Sequence, residues 1–570
     1  MHYSITYKDS HKHFIDVEII VDNLTDTEFV LQLPAWRPGR YEMQNFARNI
    51  SQFSVGGMGN TQIDFEKIGK EQWLIKNGNN KEAVVKYSCY AYQLDAGGAW
   101  VDGEQLYLNF AYCAMYMEER SHEKCEVILG IPDDYRIATG LTVKGKRLYA
   151  DNYLHLIDCP VIASAGLQHQ DYIVNGILFH IWIQGDVNIN WPLVIRDFKK
   201  FSEEQILTMG DFPEKDYHFL FQLLPYRQHH GVEHRNSTII TLGPAELIHS
   251  ESLYTDFLSI SSHELFHSWN IVKIRPAEMM PYDLSKENFF KSGYVAEGVT
   301  TFYGEYFLAR SGVFPPEKYF LELNGLFKKH FENYGNENLS VAESSFDLWV
   351  DGYVAGIPNR KVSIYVKGAV IAFLLDIIIR RNTGNKKCLD DVMKILYNDF
   401  AKEEKGYTMQ DFESICEQTA GIPLQQFFIE AVYGCTNLQD QINDALAYLG
   451  CEFEVCETRY AGERVFGLKI QLREGRTFVE QTEPGSPADK IFSKDDEVIA
   501  IDGLKVANNI HELMAAKPEC HVTIFRKNKL QSFVIKSDRR TYFKQYKVRK
   551  NYKATAAEKK NFKAWLKWEW

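Results

Sequence analysis

The segment HELFH at 263–267 carries the strongest chemical signal in the chain. Residues four apart on a helix share a face, so His263 and His267 can direct two imidazoles at one metal ion. Glu264 follows His263 by about 100° of helical rotation, which puts its carboxylate beside that site and off it. A carboxylate so placed suits a general base acting on water better than it suits a ligand. Two histidines leave a third protein ligand to find. Glu297, in YVAEGVTTFYGE, is the first candidate, because a helix antiparallel to the first can bring one carboxylate opposite the histidine pair. Glu278 and Glu287, in an apparent loop, and Glu305, two turns beyond Glu297, are its rivals.

The elements that must position these groups follow from periodicity. ESLYTDFLSISSHELFHSWNIVK (251–273) reads as an amphipathic helix ended by Pro276. GYVAEGVTTFYGEYFLARSG (293–312) reads as a second, stopped by Gly312 and Pro315. KGAVIAFLLDIIIRRNTG (367–384) reads as a third, with cations in its last turn and Gly384 after it. Further helices are expected over 386–450. Residues 1–175 look β-rich: HFIDVEIIVDN, EFVLQLPAW, AVVKYSCYAYQL and CEVILGI are strand-length runs with partial alternation. LPAWRPGRYEMQNFARN at 33–49 interrupts them with two prolines and a glycine and is expected to form an ordered loop. Strands return near 455 with VFGLKIQL, TFVEQT, DEVIAIDG, HVTIFRK and LQSFVIK. The last 30 residues are basic and aromatic, with Trp565, Trp568 and Trp570. Docking of these tryptophans on the body is expected over a membrane-binding segment.

A chain of 570 residues exceeds one hydrophobic core, and about three or four domains are expected. With 64 basic and 76 acidic residues the formal charge is −12, and no basic stripe runs through the body, which argues against nucleic acid as a partner. AVIAFLLDIII at 369–379 is short and carries Asp376, so it reads as a buried helix; no transmembrane segment is expected. The first residues lack a basic region followed by an apolar run. Ten cysteines without a CxxC pair fit reduced thiols, and the expected location is cytoplasmic.

HELFHSWN followed by YVAEGVTTFYG is similar to the gluzincin pattern. HELFHSWNIVKIRPAEMMPYD more specifically resembles the PDZ-containing glycyl aminopeptidases, metallopeptidase family sixty-one. LPAWRPGRYEMQNFARN, GVEHRNST, YVKGAVIAFLLDIIIRRNTG and EPGSPADK with DEVIAIDG agree in order. The resemblance implies an α+β multidomain chain: a β-rich N-terminal domain (1–175), a mainly helical thermolysin-like zinc peptidase domain (176–455), a PDZ domain (456–540) and a basic aromatic C-terminal tail (541–570). It implies one zinc ion on His263, His267 and Glu297, with Glu264 as base. The 29 residues between His267 and Glu297 form a longer connection than the better-known gluzincin aminopeptidases have. The resemblance also gives Tyr365, in IYVKG, as the hydroxyl that steadies the oxyanion, with Tyr353 as runner-up. GVEHRNST is similar to the edge strand on which those enzymes bind substrate: Glu233 would take the α-amine, and Gly231 and His234 would lie beside the peptide. His230 stands where the family pattern has glycine, a departure expected to narrow the cleft. The implied activity is removal of N-terminal glycine or another small residue from peptides. A PDZ-assisted endopeptidase and a non-catalytic peptide-binding scaffold are the alternatives. VFGLKI in the PDZ-like module could receive a peptide C-terminus, or the module could serve as a rigid packing domain.

Overall fold

The computed structural model describes residues 1–57, 61–354, 356–515 and 517–570. It divides into two units, Met1–Pro315 with Leu339–Gly434, and Pro316–Asn338 with Cys435–Trp570.

The first unit opens with β structure. In Phe14–Val21 alternate residues Ile15, Val17, Ile19 and Val21 are buried, as the two-residue period of a strand requires. This strand lies within a seven-stranded sheet between His2–Thr6 and Ala83–Tyr90. A four-stranded sheet follows in the order Arg136–Ala138, Val161–Ser164, Gln105–Leu108, Ala99–Val101.

The sheet that matters for the site has five strands, in the order Gln168–Val174, Ile177–Gln184, Asp216–Leu223, Ser237–Gly243, Gln228–Glu233. Its three central strands are parallel and both outer pairs antiparallel. All seven residues of Ser237–Gly243 are buried, the mark of a strand covered on both faces. One face carries Trp191–Met209 and Glu251–Phe266 through an aromatic cluster, with Phe198 and Phe219 5.0 Å apart and Phe221 and Phe257 4.5 Å apart. Gln228–Glu233 is an edge strand. The boundary expected at residue 175 falls in the turn of the hairpin joining Gln168–Val174 to Ile177–Gln184. Both of those strands belong to this sheet.

The three expected helices are present with shifted limits. Glu251–Phe266 begins where the Ser250 side chain accepts from the Leu253 amide, and it ends well before residue 273. Beyond it Ile271 takes a positive φ of 77°, which turns the chain aside ahead of Pro276. The second helix starts as a π-helical turn, Tyr294–Val299, and runs on as Thr300–Arg310. The third, Ile364–Thr383, is capped by Ser363 and closed by Gly384 in the left-handed region. The second and third cross at glycines: a Cβ on Gly298 would stand 2.3 Å from the Gly368 Cα.

In the second unit the helix Pro316–Phe331 packs on the strand Lys544–Lys550, which pairs with Cys451–Glu457. Residues 316–331, which fall within the domain expected over 176–455, therefore belong to the second unit. Residues 541–570 form that strand and the helix Ala556–Leu566, whose Phe562 and buried Trp565 face Phe320 and Tyr319. Residues 468–536 form an antiparallel sheet of Leu468–Arg473, Arg476–Thr482, Glu497–Ile501, Glu519–Arg526 and Lys529–Lys536 around Phe466, Val479, Val498, Val522 and Ile524. Among the described residues no helix is long and apolar enough to cross a membrane.

Candidate metal centre

His263 and Glu264 sit in the last turn of Glu251–Phe266, and His267 caps it in helical conformation, so the four-residue spacing still places both imidazoles on one face. His267 Nδ1 stands 3.0 Å from the Asn270 carbonyl. A carbonyl only accepts, so Nδ1 carries the proton and Nε2 turns to the pocket. Its Nε2 lies 3.1 Å from His263 Nε2. Glu297, on the π-helical turn, brings Oε2 to 3.4 Å from His267 Nε2 and 3.8 Å from His263 Nε2. Ligands held at 2.0–2.1 Å by a tetrahedral ion stand roughly 3.3 Å from one another. The three measured separations straddle that value, and the donor set of two imidazoles and a carboxylate is one that zinc takes. Glu278, Glu287 and Glu305 belong to no ligand cluster among the described residues.

The surroundings fix these groups. The Tyr41 hydroxyl donates to Glu297 Oε1 at 3.0 Å, which leaves Oε2 for the pocket. The Asn270 amide donates to the Val295 and Ala296 carbonyls and to the Thr300 hydroxyl, tying the loop after His267 to the turn that carries Glu297. Such outer partners orient ligands and set their basicity. A π-helical turn is itself a common feature of functional sites.

Glu264 lies between this triad and the edge strand. A Cβ on Gly231 would stand 2.1 Å from its Oε1, so the strand closes on the carboxylate only because residue 231 is glycine. Its other oxygen is buried without a protein partner, an orphaned acceptor in a pocket built for polar guests. Glu233, on the same strand face as Gly231, joins Glu264 and His267 in a second set of converging ligand atoms. Burial pushes Glu264 well above the usual carboxylate range and Glu233 up to about 7, with His267 opposing and the neighbouring carboxylates adding to the rise. Against its own burial, the same carboxylates hold His267 up to about 10, so an ion that binds there displaces a proton. Three buried carboxylates around one space call for cations.

The structure places the other expected residues as follows. Tyr365 opens the helix Ile364–Thr383, and its hydroxyl pairs with that of Tyr353. Burial first, and then Glu297, hold it well above the usual phenol range. Tyr353 also receives the Tyr41 amide at 3.4 Å. His234 does not converge on the pocket. It follows Glu233 by one residue, and its Nδ1 faces Asp158 at 3.0 Å. His230 sits near Arg37, Asp95 and Arg40; burial and the arginines lower it to about 4, a neutral ring.

The N-terminal loop contributes more than order. Gly39, at φ +80°, brings its backbone so close to Glu233 that a Cβ would lie 2.8 Å from Oε2, and Tyr41 reaches Glu297. Neither residue was singled out from the sequence; the two prolines and glycine of the loop were the available signal.

The chain is similar to known proteins in sequence and in fold. Residues 2–165 match the family model of the peptidase M61 N-terminal domain, and residues 256–371 match that of the M61 glycyl aminopeptidase. An aminopeptidase N family protein from Idiomarina loihiensis, known as a crystal structure, is 27% identical over 99% of both chains with a TM-score of 0.91. An M1 zinc metallopeptidase from Deinococcus radiodurans is 12% identical, over 77% of this chain and 94% of that one, with a TM-score of 0.47. No curated protein sequence matches the chain.

Proposed function

The chain belongs to the M61 peptidases, and from that premise we propose that it is a zinc-dependent aminopeptidase which removes glycine or another small residue from peptide N-termini. The observation that carries this reading is Glu233. It is a buried carboxylate beside Glu264 and His267, and among the described residues no Lys or Arg reaches it within ion-pair distance. A buried carboxylate needs a cation, and a free α-ammonium supplies one.

His263, His267 and Glu297 would hold one zinc ion in this centre. Zinc bound there would polarise the scissile carbonyl and make an attacking water more acidic. Glu264 accepts the proton of that water and returns it to the leaving amine. The Tyr365 hydroxyl donates to the carbonyl oxygen as negative charge builds on it. Glu233 holds the α-ammonium, which fixes the cut one residue from the N-terminus. The open backbone of the edge strand Gln228–Glu233 pairs with the extended peptide. Gly39 and Gly231 crowd this end of the cleft with backbone and favour a small first side chain, whereas His230, one residue before Gly231 on the strand, faces the other side and does not narrow it. The module over 456–540 reads as a PDZ domain, with VFGL (465–468) leading into its outer strand. Ten cysteines without CxxC spacing support a reducing, cytoplasmic setting.

The test is hydrolysis of glycyl, alanyl and leucyl peptides and their N-acetylated forms by wild type and Glu233→Gln. Free-amine substrates should be cleaved, glycyl fastest, and acetylated ones spared. Loss of a buried charge partner costs about 2–5 kcal/mol, so Glu233→Gln should lower kcat/KM by roughly 30-fold or more. Equal cleavage of acetylated peptides would instead make the enzyme an endopeptidase.

A further inference from the structure

The five-stranded sheet carries a second concentration of imidazoles at the edge opposite Gln228–Glu233. His169 and Asp171 lie on Gln168–Val174, His180 on Ile177–Gln184 and His218 on Asp216–Leu223. Antiparallel pairing sets Asp171 opposite His180, and parallel pairing sets His180 opposite His218. Strand alternation therefore brings all four side chains to one face.

His169 Nε2 and His180 Nδ1 stand 3.0 Å apart. One ligand atom from each of His169, Asp171 and His180 lies within 4.8 Å of the other two. The rings are held in place: His169 stacks on Trp182 at 3.8 Å and His180 on His218 at 4.4 Å. The Trp182 indole N–H donates to His218 Nδ1 at 3.1 Å, which locks the stack from behind. Two imidazole nitrogens this close must share either a proton or a cation. Their separation is near the roughly 3.3 Å expected of two ligands on one tetrahedral ion, so little movement separates the two states.

We propose that His169, Asp171 and His180 form a second site for a divalent transition-metal ion, distinct from the centre at His263, His267 and Glu297. Two imidazoles and one carboxylate suit zinc, nickel or copper, and not the oxygen-seeking magnesium or calcium. Asp171 is exposed and both histidines are half-buried, so the site opens to solvent and loads without unfolding. An ion there bridges Gln168–Val174 to Ile177–Gln184 and clips the outer hairpin of the sheet.

The test uses untagged full-length protein, stripped with chelator and dialysed against zinc alone, with metal per chain measured by mass spectrometry. Four forms are compared: wild type, His267→Ala, His169→Gln with Asp171→Asn, and the combination of all three. The expected counts are two, one, one and zero. A wild-type count of one that vanishes in His267→Ala and persists in the His169→Gln, Asp171→Asn form overturns the second site and leaves the first intact. A count of one with the opposite dependence overturns the first and leaves the second. Because all the substitutions at the second site are polar and lie on an exposed edge strand, circular dichroism should show an unchanged fold. As a second readout, cobalt added to His267→Ala should give visible d–d absorption that the triple variant lacks. Equal spectra from the two would refute the assignment.

Discussion

Gly231→Ala offers a sharp probe of how the edge strand and the general base are fitted together. The added Cβ would stand 2.1 Å from Glu264 Oε1, 2.7 Å from Cδ and 3.0 Å from Cγ. Real Cβ atoms essentially never approach closer than 3.0 Å, so the carboxylate must retreat by at least 3.0 − 2.1 = 0.9 Å. The backbone of Gly231 has no positive φ, so alanine strains nothing but this contact. A misplacement of about 1 Å in a catalytic group costs on the order of 100-fold, or about 2.7 kcal/mol of transition-state stabilisation. The metal ligands lie on the helix and the π-helical turn, away from the substituted atom, so zinc affinity should be unchanged. The assay is kcat/KM on a glycyl peptide, read beside zinc content and Tm. The expected result is a loss of roughly 100-fold, mostly in kcat, with metal and fold retained. Activity within a few-fold of wild type would refute the reasoning. Loss of zinc together with activity would also refute it, since it would make Gly231 a guard of the metal site instead.

Three further outcomes follow from the same geometry. Tyr365→Phe removes a hydroxyl donor and should lower kcat by about 10²–10³ with zinc retained; Tyr353→Phe, whose hydroxyl supports Tyr365, should cost less than Tyr365→Phe, and the reverse order in steady-state kinetics would exchange their roles. Asn270→Ala releases the turn carrying Glu297 from three hydrogen bonds, and chelator competition should show metal affinity weaker by roughly 10–100-fold; unchanged affinity would show that the turn holds itself. Far from the site, burial would raise Asp390, but Arg310, Arg380 and the Tyr303 hydroxyl hold it below the usual range. A depressed carboxylate stabilises the fold above its unfolded pKa of about 3.9 and loses that contribution as pH falls through its lower folded value. Asp390→Asn should therefore cost about 3 kcal/mol at pH 7, and less as the pH drops below about 4; a cost independent of pH in denaturant titrations would contradict the ion-pair account.

What could be read from the sequence was what depends on near neighbours. HELFH is legible because the four-residue rule acts within one helix, and the third helix was legible with its Gly384 stop because caps are local. Glu297 stood first of four candidates because it lies on a predicted helix, but a 29-residue connection separates it from His267 and the family resemblance was needed to assign it. Tyr41 was out of reach: its hydrogen bond to Glu297 spans 256 positions, and nothing in RPGRYE announces the partner. Asn270 fell inside the helix expected over 251–273, whereas the helix ends at Phe266 and the Asn270 amide holds two carbonyls of the next helix. The close fit of Gly231 on Glu264 exists only in the folded packing. His234 was misjudged for a reason the sequence did contain. A strand alternates, so a residue beside Glu233 faces away from the pocket that Glu233 faces. The helix Pro316–Phe331 has a clear amphipathic pattern, but periodicity says that a face is buried and not which unit buries it.

The central claim is that a metal on His263, His267 and Glu297 works with Glu264 as base. It is tested most directly by the zinc content and glycyl-peptide turnover of wild type, Glu264→Gln and His267→Ala, measured side by side. The account predicts that Glu264→Gln keeps the zinc equivalent which His267→Ala loses, while its kcat falls by about 10²–10⁴. Substantial turnover by Glu264→Gln, or a zinc content unaffected by His267→Ala, would contradict it.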